Sequence, residues 1–210
     1  MTGRRVGVLI SGGGSNLQAL LDAQGPYCPY AIAVVIANRP DAGGLERARA
    51  AGVEALVVDH RHFGGDRSAF ERAIDAALRA RAIDLVALAG FMRILTPAFV
   101  RDWAGRLLNI HPSLLPAFPG LQTHARALDA GVKLHGCSVH WVSEGVDEGP
   151  IIGQAAVPVL PDDTTETLGA RVLTAEHVLY PACLALVCAD DEERREMQSR
   201  ALILNAWKPG

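Results

Sequence analysis

Lysine is nearly missing from this chain: Lys133 and Lys208 are the only two among 20 basic residues, which face 23 acidic ones for a net charge of −3. A protein that grips nucleic acid by neutralising phosphates needs a clear basic excess, so that class is excluded. The arginines are scattered along helical segments beside acidic neighbours, which reads as solvated faces. No uninterrupted apolar run approaches the roughly 18 residues that cross a bilayer. The run after Met1–Val6 breaks at Ser11-Gly12-Gly13-Gly14, too early for a secretory signal, so neither membrane insertion nor export is expected. Cysteine is sparse. Cys28, Cys137, Cys183 and Cys188 show no C-x-x-C spacing, which disfavours a zinc knuckle or a redox pair and suits reduced, mostly buried thiols in the cytoplasm. His60 and His62 share a polar loop with no third ligand at useful spacing, so no metal is expected. Linkers, repeats and low-complexity blocks are missing too. With half of its 210 residues hydrophobic, the chain is expected to fold as one domain over 1–210.

What is present alternates. Val6–Ile10, Ala31–Ala37, Glu54–Val58, Leu85–Ala89 and Leu107–Ile110 are short apolar runs of the kind found where both faces of a parallel sheet are covered. Between them, Asn16–Gln24, Gly44–Ala51, Arg67–Ala80 and Pro97–Trp103 have helical character. In the third, Phe70, Ala73, Ile74, Ala77 and Leu78 share one face. This βαβα order predicts a doubly wound, mostly parallel open α/β sheet. Past residue 133 the pattern changes. Gly136–Val142 and Ile151–Val159 are strands around the turn-rich Ser143–Pro150, which predicts antiparallel strands in the C-terminal half. A long helix, Thr165–Val187, follows. Thr164 or Thr165 can cap it, without the Glu of a full capping box. Asp190–Arg195 reads as a solvated connector, within a tail over 190–210.

Two segments carry chemistry. Ile10–Gln18 leaves the first strand through three glycines and opens a helix, with Ser15-x-x-Gln18 spaced for a capping box. Helix-terminal N–H groups and the helix dipole favour an anion there. G-x-G-x-x-G fails at Leu17 and a P-loop fails for want of Gly-Lys-Ser/Thr, so a phosphate monoester on a small metabolite is expected over NAD or ATP. The second segment is Asn109-Ile110-His111 at a strand end, where open α/β sheets place their crevice. Two residues apart on an extended chain, the amide and the imidazole leave on one face. An amide can stabilise an oxyanion and an imidazole can move protons near neutral pH. Glu144, Asp147 or Glu148 could orient that imidazole, though by spacing alone they form an acidic turn. His140 alternates with Ser138 and Val142 and can line the same site. His124, His135 and His177 read as surface or structural.

The segments Leu9–Gln18, Gly44–Ala51, Leu88–Val100, Arg106–Pro116, Gly136–Val142, Asp147–Ile152 and Thr174–Pro181 run in one order over about residues 5–185. In that order and wording the chain resembles the phosphoribosylglycinamide formyltransferases, the folate-dependent GAR transformylases of purine synthesis. The resemblance implies a formyltransferase-like, Rossmann-related fold and transfer of formyl from 10-formyltetrahydrofolate, as co-substrate, to the amine of glycinamide ribonucleotide (GAR). It implies that Asn109 donates to the oxyanion, His111 donates or shuttles the proton, and Asp147 orients His111. Gly14, Ser15, Asn16 and Glu176 match GAR contacts. Arg67, Met92, Arg93, Ile94, Leu95 and Asn109 match folate positions, with Leu88, Val100 and Val142 as pterin walls. It assigns the N-terminal half to the phosphorylated substrate and the C-terminal half to the folate site and catalytic loop. No metal is implied, and a homodimer is left open. The chain departs from the family at Gly13, where members often have Asn, and at Gln122, where some carry His or Asp. A methionyl-tRNA formyltransferase would carry a C-terminal RNA-binding domain, and a formyltetrahydrofolate deformylase an extra N-terminal regulatory domain. With a first strand near Val6 and an end at Gly210, neither extension is expected. A silent phosphate-metabolite binder would be expected to have lost Asn109, His111 or Asp147.

Overall fold

The computed structural model describes residues 3–189 and the strand Ile203–Asn205. The expected connector Asp190–Arg195 lies outside the described residues, as does the rest of the tail. Two compact units divide the chain, Met1–Asn109 and Ile110–Gly210.

In the first unit the strands are β1 (Arg4–Ile10), β2 (Tyr30–Ala37), β3 (Glu54–Val57), β4 (Leu85–Leu88) and β5 (Leu107–His111), which runs on into the second unit. They lie in the order β3-β2-β1-β4-β5, all parallel. The runs of β1, β2, β4 and β5 are largely buried on both faces, with Val6, Val8, Leu9, Ile10 and Val34–Ala37 wholly covered, while the edge strand β3 is part exposed. That is why these strands lack polar alternation. The covering helices are α1 (Ser15–Asp22), α2 (Gly44–Ala50), α3 (Arg67–Arg79) and α4 (Pro97–Asp102). α3 turns Phe70, Ile74 and Leu78 inward, each side chain contributing about 1.5–3 kcal/mol by its burial. Asp66 caps it by accepting from the Ala69 N–H. The chain moves outward from β1 to β2 and β3, then returns to lay β4 on the other side of β1. This reversal opens a crevice at the carboxyl ends of β1 and β4.

The second unit pairs β6 (Leu134–Trp141) with β7 (Ile151–Pro158) antiparallel, as expected, and adds β8 (Ile203–Asn205) parallel to β7. Helix α5 (Thr123–Asp129) and strand β8 were not foreseen, and neither was a single 3-10 turn at His60–Phe63 in the first unit. The 24-residue α6 (Thr165–Cys188) packs on β6 and β7. Length and composition alone would let α6 cross a membrane. It is instead a core helix, burying Leu168, Val172, Leu179, Tyr180 and Leu184. Its start corrects the expectation of an incomplete cap: the Thr164 hydroxyl accepts from the Thr167 N–H while the Thr167 hydroxyl accepts from the Thr164 N–H. A threonine thus does the work usually given to Glu.

Candidate functional site

At the end of β1 the chain turns through Ser11–Gly14 into α1. Here one local expectation fails. Ser15 does not cap α1; it is the first helical residue, and Gly14 stands before it with φ +73°. Gln18, the supposed partner, donates to Asp22 at 2.7 Å and accepts from Arg47 at 3.2 Å. The physical reason is crowding by α2. A Cβ on Gly14 would lie 2.7 Å from the Gly44 Cα, so only a left-handed glycine lets the two helix starts meet. Arg47 donates to the Gly13 carbonyl at 2.8 Å, and the Gly44 N–H donates to the Gly12 carbonyl at 3.0 Å. The loop is therefore held from α2. At Gly13 nothing lies within 4 Å of where a Cβ would be, so the departure noted there removes a side chain from open space.

This loop forms one wall of a cavity of about 410 Å³, lined by Ser11–Asn16, Asn38, Arg39, His60 and, opposite, Ala89, Gly90, Met92 and Arg93. The two walls are the loops after β1 and β4, as the reversal of strand order requires. Gly14, Ser15, Asn16, Met92 and Arg93 come together in this way. Asn38 and His60 were missed as lining residues. The His60 ring bonds the Asn38 carbonyl at 2.8 Å, and the Asn38 Oδ1 is buried with no partner. No motif marked either residue; only the position of Asn38 just past β2 could have. Of the other folate-matching residues, Ile94 is exposed and Leu95 buried, and Arg67 donates to the Ile94 carbonyl. Leu88 and Val100 are buried core residues. All of these belong to the first unit, while Val142, the remaining pterin-wall match, lies half-buried in the second.

β5 extends one residue further than its apolar run, so Asn109 and His111 both lie on the strand, half-buried and buried respectively. Within the second unit, His111 has two partners. Its Nδ1 lies 3.3 Å from the Asp147 carboxylate, and its Nε2 lies 3.1 Å from the Phe118 carbonyl. Asp147 sits in the β6–β7 loop at φ +58°, a conformation that Asp tolerates better than most residues. The Gly120 N–H donates to Asp147 Oδ2 at 2.8 Å, and His140 Nε2 stands 3.6 Å from Oδ1. Burial alone would raise the Asp147 carboxyl, but His140, the Gly120 N–H and the neighbouring imidazole charges outweigh it and hold it below the usual carboxylate value. A carboxylate kept ionised beside an imidazole fixes the ring's orientation. Of the three acidic residues open to this role, the fold brings Asp147. His140 joins it from β6, as its alternation with Ser138 suggested.

The segment that carries Phe118 and Gly120 is tied down by a buried network. The Ser138 hydroxyl donates to the Ser113 carbonyl at 2.7 Å and accepts from the Leu115 N–H at 3.0 Å, and Gln154 donates to both Ser138 and the Leu115 carbonyl. Gln122 precedes α5 in a left-handed conformation with no side-chain cap. His124 and His135 bond ring to ring at 3.1 Å, and His135 packs edge-on against Phe118. His135 is buried, which corrects any surface reading. Burial first, then the charges of His124 and His111, push its pKa down to about 4. Glu176 is buried on α6. All four cysteines are free thiols, Cys28 half-buried and the rest buried. Among the described residues, no cluster of three or more His, Cys, Asp or Glu could hold a metal ion.

Comparison with known proteins agrees with this arrangement. The formyl transferase family profile matches residues 4–184. The chain is 50% identical over 179 residues to the phosphoribosylglycinamide formyltransferase of Escherichia coli, covering 85% of this chain and 84% of that one. It is 51% identical over 189 residues to the trifunctional purine biosynthetic protein adenosine-3 of Drosophila melanogaster, covering 88% of this chain but spanning only 14% of that protein's length. The crystal structure of the phosphoribosylglycinamide formyltransferase from Brucella melitensis superposes with a TM-score of 0.86 at 54% identity, covering 90% of this chain and 97% of that one. With a shared sequence and a shared fold, the chain belongs to the formyl transferase family.

Proposed function

We infer that this chain is a phosphoribosylglycinamide formyltransferase, moving a formyl group from 10-formyltetrahydrofolate to the amine of GAR to give formyl-GAR and tetrahydrofolate in purine synthesis. The observation that carries the reading is the His111–Asp147 pairing at 3.3 Å, two residues along β5 from Asn109. Each residue has a task that the chemistry requires. Amine attack on a formyl carbon builds negative charge on oxygen, which the Asn109 amide is suited to stabilise. The nitrogen must lose a proton and the folate nitrogen must gain one. His111 serves as the acid or shuttle, with Asp147 fixing its ring. Gly14, Ser15 and Asn16 take the phosphate and Glu176 another part of GAR. Arg67, Met92, Arg93, Ile94, Leu95 and Asn109 face the folate. Holding two substrates in register supplies on the order of 7–11 kcal/mol, and one oxyanion donor about 2.7–4 kcal/mol more. The chemistry asks for no metal. The chain works in the cytoplasm as one functional domain on small-molecule substrates, without nucleic acid or membrane, and the sequence leaves room for a homodimer.

A steady-state assay with 10-formyltetrahydrofolate, run with and without GAR, tests this. Tetrahydrofolate formed only when GAR is present is the expected result. Folate turnover without GAR would replace the reading with a deformylase, and no turnover in either case with a phosphate-metabolite binder.

A further inference from the structure

The segment from Met92 to Thr96, just past β4, shows two of its three large apolar side chains, Met92 and Ile94, to solvent at 73% and 68% exposure, while Leu95 is buried. It has no helix or strand of its own, yet it is anchored along its length. At one end the Met92 N–H donates to the Ser11 hydroxyl at 2.8 Å. In the middle, Arg67 on α3 donates to the Ile94 carbonyl, and Arg93 lies 5.8 Å over the Phe70 ring of the same helix. At the far end stands Glu71, one residue further along α3 and only 4% exposed. Its carboxylate accepts from the Thr96 N–H at 2.8 Å and from the Thr96 hydroxyl.

A carboxylate buried on an amphipathic helix is costly unless its partners repay its desolvation. Glu71 sits on the inward face, where the surrounding pattern asks for an apolar residue, and both of its oxygens go to a single residue, Thr96. Thr96 begins α4 and ends the exposed segment. Two donors on one residue fix both the backbone direction and the side-chain rotamer there, which a single bond would not do. An apolar surface presented by a loop already set in place needs less ordering when a ligand covers it.

We propose that Glu71 is a positioning residue for the folate co-substrate: through Thr96 it presets Met92–Leu95 as the platform on which the pterin and its formyl-bearing arm rest. The assignment depends on the folate reading of those residues given above. Ser11 anchors the other end of the platform, but it also lines the phosphate-side cavity, so changing it would disturb both substrates. Glu71 does not line that cavity. Met92 and Arg93 of the platform line it as well, but Glu71 reaches the segment only at Thr96, the end away from that cavity.

The test compares the parent protein with Glu71→Ala and Glu71→Gln for kcat, for KM of each substrate, and for the Kd of tetrahydrofolate by calorimetry. Hydrogen exchange over residues 90–97 is followed in parallel. In Glu71→Ala the tetrahydrofolate Kd and the 10-formyltetrahydrofolate KM rise about tenfold, the scale of lost charge-assisted bonds. The GAR KM stays within about twofold under the same reasoning, and exchange speeds up at Met92–Thr96. Glu71→Gln, which keeps one acceptor and can donate to the Thr96 hydroxyl, recovers most of the loss. An alanine variant that binds tetrahydrofolate like the parent overturns the proposal, as does an equal rise in both KM values. Should Glu71→Ala fail to fold, Thr96→Val deletes only the hydroxyl; a selective rise in folate KM supports the assignment and an unchanged one overturns it. A parent that binds tetrahydrofolate but transfers nothing to GAR removes the activity reading, while the binding comparison still decides the role of Glu71. A parent that does not bind tetrahydrofolate overturns both.

Discussion

The two units build their sites by opposite means. In the first, the cavity lies between loops: the glycine turn after β1 and the segment after β4, with Asn38, Arg39 and His60 beside them. In the second, side chains from three separate elements meet: His111 from β5, His140 from β6 and Asp147 from the loop that follows it. A crevice between loops follows from strand order, so losing one lining side chain weakens binding without removing the cavity. A side-chain cluster depends on each member, because every group in it is half or more buried and is satisfied by the others.

That contrast can be broken most sharply at Asp147. Asp147→Asn and His111→Ala should each lower kcat by roughly 10²–10⁴-fold while changing the KM for GAR far less. Steady-state kinetics checks this, and unchanged turnover in either variant would remove the proposed roles. Next in size, Ser15→Ala or Asn16→Ala should raise the KM for GAR by about tenfold, the scale of one phosphate hydrogen bond. The folate KM should stay put; if it rose instead, the loop would belong to the other substrate.

A third effect is read in stability. The pKa of His135 is down to about 4 in the folded chain, against 6.5 for an unperturbed imidazole. The unfolded chain therefore takes up this proton first. The associated stability is fully present above pH 6.5, is lost as pH falls from 6.5 to about 4, and changes no further below that. The full loss should be about 3 kcal/mol, with about 2 kcal/mol of it reached by pH 5. Urea midpoints at pH 7.5 and pH 5 should move together less in the parent than in His135→Gln; equal slopes would show that His135 does not titrate with folding. Smallest of all, Gly13→Asn should change stability by no more than about 0.5 kcal/mol. A thermal melt displaced by many degrees would mean the backbone there is less free than its open surroundings indicate.

Much of this was legible in the residues. Apolar runs flanked by helical periods are a local signature, so all five parallel strands and four of their helices fell within a residue or two of expectation. The glycine loop was legible for the same reason, although the cap was not. Ser15 and Gln18 have the right spacing, but α2 presses Gly44 against Gly14 and takes Gln18 through Arg47, and no local rule sees a helix 30 residues away. Helix α5 was hidden by a short stretch of mixed polarity, and β8 by a tail with no clear period. The role proposed for Asp147 was suggested only by family resemblance, since Asp147 sits in what local spacing presents as a plain acidic turn.

Local chain chemistry was enough for the alternation of elements, the phosphate-favouring turn and the pairing of Asn109 with His111, because each depends on residues a few positions apart. Contacts across long stretches of chain settled the rest: which carboxylate reaches His111, that a second imidazole flanks it, and that a buried Glu71 holds an exposed apolar segment in place. Burial assigns those partners. A polar group taken out of water must be satisfied by whatever the fold brings within bonding distance, and that distance is measured through space.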